Sequence, residues 1–227
     1  METLVGAPVD WHPVWLTLRV ATVATALALL AGVALGWVFS RWRFRGSSVL
    51  EAVCMLPLVL PPTVLGYYIL IAMGRNSPLG RFLREQFDYS IIFSWHGAVV
   101  ASAVVALPLV LRSASAAFSG VDRTLEAAAM TLGQRPFAVF LRVTLPLASR
   151  GILAGGMLAF ARAMGEFGAT LMVAGNIPGE TQTLAMAVYD AAQAGNDRLA
   201  LLLVTITSLL CVAILVGSQK VFAPRSS

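Results

Sequence analysis

Residues Val14–Phe39 read VWLTLRVATVATALALLAGVALGWVF, and Arg41, Arg43 and Arg45 follow at once. A helix rising about 1.5 Å per residue needs about 20 apolar residues to cross the hydrocarbon of a bilayer. This run is long enough, and its basic flank marks where it leaves the lipid. It is also too long for the apolar core of a signal peptide. The first 18 residues hold no Lys or Arg, so the charged start of such a peptide is missing as well. The run is expected to stay in the protein as a membrane span.

Four further stretches read the same way. The second covers about Ala52–Met73 and carries Pro57, Pro61 and Pro62. The third covers about Ile91–Leu111, the fourth Gly151–Ala174 with Arg162 and Glu166 inside it, and the fifth Leu199–Val216. The expected fold is all-α: an integral membrane bundle of about five transmembrane helices, forming one domain over residues 1–227. The composition agrees. Hydrophobic residues make up 58% of the 227 and charged residues 12%, about half the roughly 25% of soluble domains. The mean hydropathy is +0.81. So little charge cannot clothe a soluble globule, and disorder needs the opposite composition. Cys54 and Cys211 lie in apolar runs and act as small hydrophobes.

The net charge of +5 reads as topology rather than nucleic-acid binding. With the N-terminus outside, the inner segments hold Arg41, Arg43, Arg45, Arg112, Arg123, Arg135, Arg142, Arg150, Lys220 and Arg225. The outer segments hold only Arg75, Arg81, Arg84 and Arg198. The chain is therefore expected to run N-out and C-in.

The inner segment from Arg112 to Arg150 is the longest hydrophilic stretch. Within it, Asp122 is placed to cap a short helix, Glu126 suits the positive end of its dipole, and Gly133 suits a left-handed stop. Leu125, Ala128, Ala129 and Leu132 share one face of that helix. Pro136 can start a second short helix carrying Phe137, Phe140 and Leu141. Such a hairpin either lies on the lipid surface or docks a cytoplasmic partner.

Ala128-Ala129, Gly133 and Val143-Thr144-Leu145-Pro146 resemble, in spacing, the EAA motif of permease subunits of bacterial ABC importers. One departure is that the acid stands at Glu126, with Ala127 between it and the alanine pair. Two more stretches, Leu56–Tyr67 and Gly165–Thr183, are similar to the molybdate-permease family of these importers. The run Gly165–Thr183 (GEFGATLMVAGNIPGETQT) is the most specific.

The resemblance implies a type I importer permease that works as a homodimer, with two ATP-binding cassette subunits on the inner loops and a periplasmic molybdate-binding protein on the outer loops. It implies a multi-pass protein of the bacterial inner membrane, surrounded by lipid, that holds no cofactor or metal and is not itself an enzyme. Glu126, Ala128, Ala129, Gly133, Leu145 and Pro146 are the expected coupling residues.

The expected pathway or gate residues are Pro57, Pro61, Pro62, Arg162, Glu166 and Thr170. The prolines break the helical ladder. Arg162 and Glu166 stand at i, i+4 and can neutralise each other on one helix face. They serve either as a staple to a neighbouring helix or as a tempered anion contact beside the pathway. The hydroxyls of Thr17, Thr22, Thr25 and Thr170 either donate to an oxyanion or satisfy nearby carbonyls. Two rival readings stand beside this one: a sulfate or tungstate importer of the same architecture, and a small intramembrane enzyme using Ser94 and His96.

Overall fold

The computed structural model describes residues 10–42 and 44–222. Arg43 and Arg225, counted above on the inner side, lie outside the described residues. The described chain is helical, without strands. Its elements are α1 (His12–Arg41), α2 (Ser47–Val59), α3 (Pro62–Met73), α4 (Pro78–Phe87), α5 (Trp95–Ser119), α6 (Arg123–Thr131), α7 (Pro136–Val139), a π turn (Phe140–Thr144), α8 (Leu145–Met164), α9 (Gly168–Ala174), α10 (Leu184–Gln193) and α11 (Asp197–Phe222).

Four stretches are long and apolar enough to span: His12–Arg41, Trp95–Ser119, Pro136–Met164 and Asp197–Ile214. The expected second span is instead two helices, α2 and α3, bent by 119°. The cause lies at Leu60-Pro61-Pro62. A residue before proline is driven from helical to extended geometry, and Leu60 and Pro61 both precede one. Both are extended, with ψ of 141° and 136°.

The expected fourth span is also displaced. Its long helix begins at Pro136, within the segment read as loop, and ends at Met164. Pro146 stands in the first turn of α8, which follows the π turn without a break. Leu145 donates its N–H to Phe140 O, five residues back. The widened turn sits where the ring of Pro146 would press on the preceding carbonyls.

Helix α5 is the centre of the bundle, and small residues let its neighbours approach. A Cβ at Gly36 of α1 would stand 2.8 Å from Ala114 Cβ, and one at Gly155 of α8 would stand 2.4 Å from Ser113 Cβ. Without a hydrophobic drive inside lipid, such close backbone contact is what holds membrane helices together. The pairs Gly32–Val110 and Gly36–Ala114 make α1 and α5 parallel. Gly151–Ala117 and Gly155–Ser113 make α8 antiparallel to them.

The start of α11 (Leu199, Leu203) borders the same cavity as Pro13, and Ile214 borders one with Thr25 and Leu29. Helix α11 therefore runs parallel to α1. Despite its bend, the α2–α3 pair carries the chain from the end of α1 to the start of α5, across the bundle.

Candidate functional site

The apolar run Gly151–Ala174 does not form one helix. Gly165-Glu166-Phe167 interrupts it, leaving backbone groups on both sides without helical partners. Glu166 supplies one of them. Its side chain is 1% exposed, and its Oε1 accepts the Ala169 N–H at 2.8 Å, at the start of α9. Its Oε2 lies 2.8 Å from Arg162 Nη1. Thr170, also buried, donates its hydroxyl to Phe167 O at 2.9 Å and lies 3.3 Å from Glu166 O.

The Arg162–Glu166 contact foreseen in the sequence is therefore present, but for a different reason. Helix α8 has ended by Gly165, so the two residues do not share a helix face. Glu166 reaches Arg162 from the break, across the end of α8. Arg162 keeps 35% of its side chain exposed and stands in the last turn of α8, where a cation suits the dipole.

The second interruption faces the first. A Cβ at Gly168 would lie 2.9 Å from Pro62 Cβ, and one at Gly66 would lie 2.7 Å from Met172 Cβ. So α9 packs on α3, and the break at Leu60-Pro61 abuts the break at Gly165–Phe167. Irregular backbone at membrane depth persists where protein or a cavity covers it, and discontinuous helices of this kind build transporter sites. The structure brings Pro62, Glu166 and Thr170 together here, with Arg162 at the edge and Pro61 one residue away. Pro57 sits apart, in the interior of α2, a helix with no buried residue.

At the other end, Asp122 caps α6 by accepting the Thr124 N–H at 2.8 Å. That bond and the Thr124 hydroxyl hold its carboxyl below the ordinary carboxylate range. Gly133 ends the turn with φ +83°. Helix α6 buries none of its side chains, and Leu125, Met130 and Leu132 are exposed. Glu126 points back into its own chain. Its Oε1 accepts from Arg41 Nη2 of α1 and, at 2.5 Å, from the Thr144 hydroxyl of the π turn. Ala128 and Ala129 lie on α6, and Leu145 and Pro146 open α8.

Sequence reasoning missed Arg41 and Thr144 as partners of Glu126. They lie 85 and 18 residues away, beyond any local pattern. It also missed the Asp190 carboxylate, which accepts 2.7–2.8 Å bonds from Asn176 and Gln182 and pins the segment after α9 to α10. Thr17 donates to Pro13 O and accepts from Leu184 N, and Thr22 donates to Leu18 O. Both serve backbone. Ser94 caps α5, donating to Ile91 O at 2.7 Å and accepting from Gly97 N at 3.4 Å. The Tyr89 hydroxyl contacts both Ser94 and His96, so these two do not bond directly, and the intramembrane-enzyme reading is not favoured.

Parallel and antiparallel spans, two abutting broken helices and a helical hairpin at one face form an architecture of the kind membrane transporters use. Residues 28–227 match the family described as binding-protein-dependent transport system inner membrane component, and the chain belongs to that family. It is 43% identical over 210 residues to the molybdenum transport system permease protein ModB of Escherichia coli K12, covering 92% of each chain. It is 47% identical to the ModB of Haemophilus influenzae, covering 78% of each, and 44% identical to the putative molybdenum permease YvgM of Bacillus subtilis, covering 88% of each.

Among solved structures, the MetNI methionine ABC transporter in an inward-facing form superposes with TM-score 0.73 at 17% identity, over 96% of this chain and 97% of that one. A bacterial ABC transporter for the acidic polysaccharide alginate superposes with TM-score 0.76 at 10% identity, over 99% and 82%. These two likenesses concern the fold alone.

Proposed function

We propose that this chain is the membrane subunit of an ATP-driven molybdate importer. The observation that carries the reading is the abutment of the two interrupted helices at Pro62 and Gly168. It lies beside the run Gly165–Thr183, on a chain 43% identical to a molybdenum permease along 92% of its length. Two copies of the chain enclose the pathway, because four long helices and one bent pair are few to surround an ion alone. Two-fold assemblies are the commonest solution. The face bearing α6 is cytoplasmic. It carries Arg41, Arg45, Arg112, Arg123, Arg135, Arg142 and Arg150, as the positive-inside rule asks.

An ATP-binding cassette subunit sits against α6, where Ala128 and Ala129 keep the surface low and Leu125 and Leu132 offer apolar contacts. A periplasmic binding protein delivers the anion to the opposite face. Molybdate, a dianion, passes the half-buried guanidinium of Arg162, whose pull Glu166 tempers. A conduit must hold its ion weakly enough to release it. Closure of the ATPases draws the α6 helices together, and the Pro61–Pro62 and Gly165–Phe167 breaks absorb the change as the pathway switches sides. ATP is cleaved in the partner.

The test is reconstitution in proteoliposomes with the ATPase and the binding protein, scoring ATP-dependent uptake of labelled molybdate against unlabelled molybdate, tungstate and sulfate. Competition by molybdate and not by equal sulfate supports the assignment. Equal competition by sulfate overturns the substrate. Arg162→Ala is expected to lower uptake about tenfold, the worth of one charge-assisted contact, and unchanged kinetics would leave Arg162 a staple.

A further inference from the structure

Resting on the importer reading, we propose that Glu126 transmits the ATPase stroke through a latch inside its own chain. Its carboxylate joins α6 to α1 through Arg41 and to α8 through Thr144. The partner ATPase is not its target.

Helix α6 has no apolar anchor of its own, since it buries no side chain. The elements it must move are already locked together. Trp37 of α1 stacks edge-to-face on Phe140 of the π turn at 5.5 Å, and Phe140 packs on Phe118 of α5. The side-chain hydrogen bonds that join α6 to this block are those of Glu126, while Met130, 48% exposed, only borders the same cavity as Trp37 and Phe140. Arg41 and Glu126 are each only 14% exposed, and Thr144 is buried at 2%. A carboxylate so placed, holding a guanidinium and a hydroxyl on one oxygen, is committed to these donors. A charge-assisted contact shielded from water is stronger than one on a wet surface.

The link also has the right position. Thr144 closes the π turn at the foot of α8. The other end of α8 is the Arg162–Glu166 break that abuts α3. A displacement of α6 passed through Glu126 thus reaches the Arg162–Glu166 break by way of α8. Glu126 is a positioning residue: it touches neither the transported anion nor ATP. Its place one residue before the family's usual acid fits this inward aim.

The experiment compares wild type with Glu126→Gln, Arg41→Ala, Thr144→Val and the charge exchange Arg41→Glu/Glu126→Arg, each in full transporter complexes. The readout is molybdate transported per ATP hydrolysed. The three single changes are expected to lower that ratio, Glu126→Gln by about tenfold and Thr144→Val by less. The charge exchange is expected to recover most of the loss. Arg41→Ala at the wild-type ratio, or an exchange no better than the single changes, overturns the latch and directs Glu126 to the partner.

A second measurement needs no partner. Backbone hydrogen exchange of α6 in the purified permease is expected to speed up in Glu126→Gln while α5 stays unchanged, and equal exchange in both proteins overturns the proposal. Failure of the importer reading shows separately, as wild-type complexes that do not take up molybdate with ATP.

Discussion

Glu166 shows how one side chain can make a broken membrane helix tolerable. One oxygen caps α9 and the other meets Arg162. The two functions separate by mutation. In Glu166→Gln the amide oxygen still accepts from Ala169, and Arg162 has solvent for its charge. In Arg162→Ala the carboxylate stays buried with no counter-charge. Breaking a buried pair from one side is the costlier error. Discounted for solvent at the 35% exposed arginine, the expected loss is about 2 kcal/mol for Arg162→Ala and well under half that for Glu166→Gln. Thermal unfolding in detergent checks it, and the reverse order would refute the account. The i, i+4 spacing made this pair legible in the sequence, though through a helix that is not there. No spacing could announce Arg41 or Thr144 as the partners of Glu126, because tertiary folding alone brings them together.

At the scale of elements, helix contacts rest on absent side chains. Gly155→Val would force methyl groups into Ser113 and is expected to cost about 1–3 kcal/mol, the range for overpacking. Gly133→Asn should cost the fold little in thermal unfolding, because a Cβ there meets nothing within 4 Å and asparagine tolerates φ +83° better than other side chains.

Helix α6 has a pH signature as well. The Asp122 carboxyl is held below its ordinary range, so its cap contributes fully above that range and is lost only as pH falls through the depressed value. A spin label at Thr131 should therefore stay ordered through about pH 5 and loosen in stronger acid. Asp122→Asn, which caps without titrating, should remove the step, and a step that persisted would place its origin elsewhere.

Hydropathy made α1, α5 and α11 legible, and capping chemistry made α6 legible. It could not see the break at Gly165–Phe167, since an apolar window reads straight through glycine and phenylalanine. It saw the prolines of the second span but not a 119° turn, because the angle depends on two successive residues forced out of helical geometry.

At the scale of the molecule, charge and topology agree. The loop face gathers the arginines, and α1 and α11 both run toward it. A periplasm-active reporter fused before residue 10 and a cytoplasm-active reporter fused after residue 222 are both expected to work, and the exchanged pair to fail. Working reporters in the exchanged arrangement would invert the proposed orientation.

The parallel course of α1 and α11 has an engineering and evolutionary corollary. Two copies cannot be joined head to tail by a plain polar tether, because the first copy's last helix finishes on the side of the bilayer opposite to where the second copy's first helix must begin. A single-chain tandem needs a tether with an odd number of crossings of its own. Simple gene duplication with read-through would insert the second half upside down, its arginines facing the wrong compartment. Pairing two separately made chains avoids that barrier.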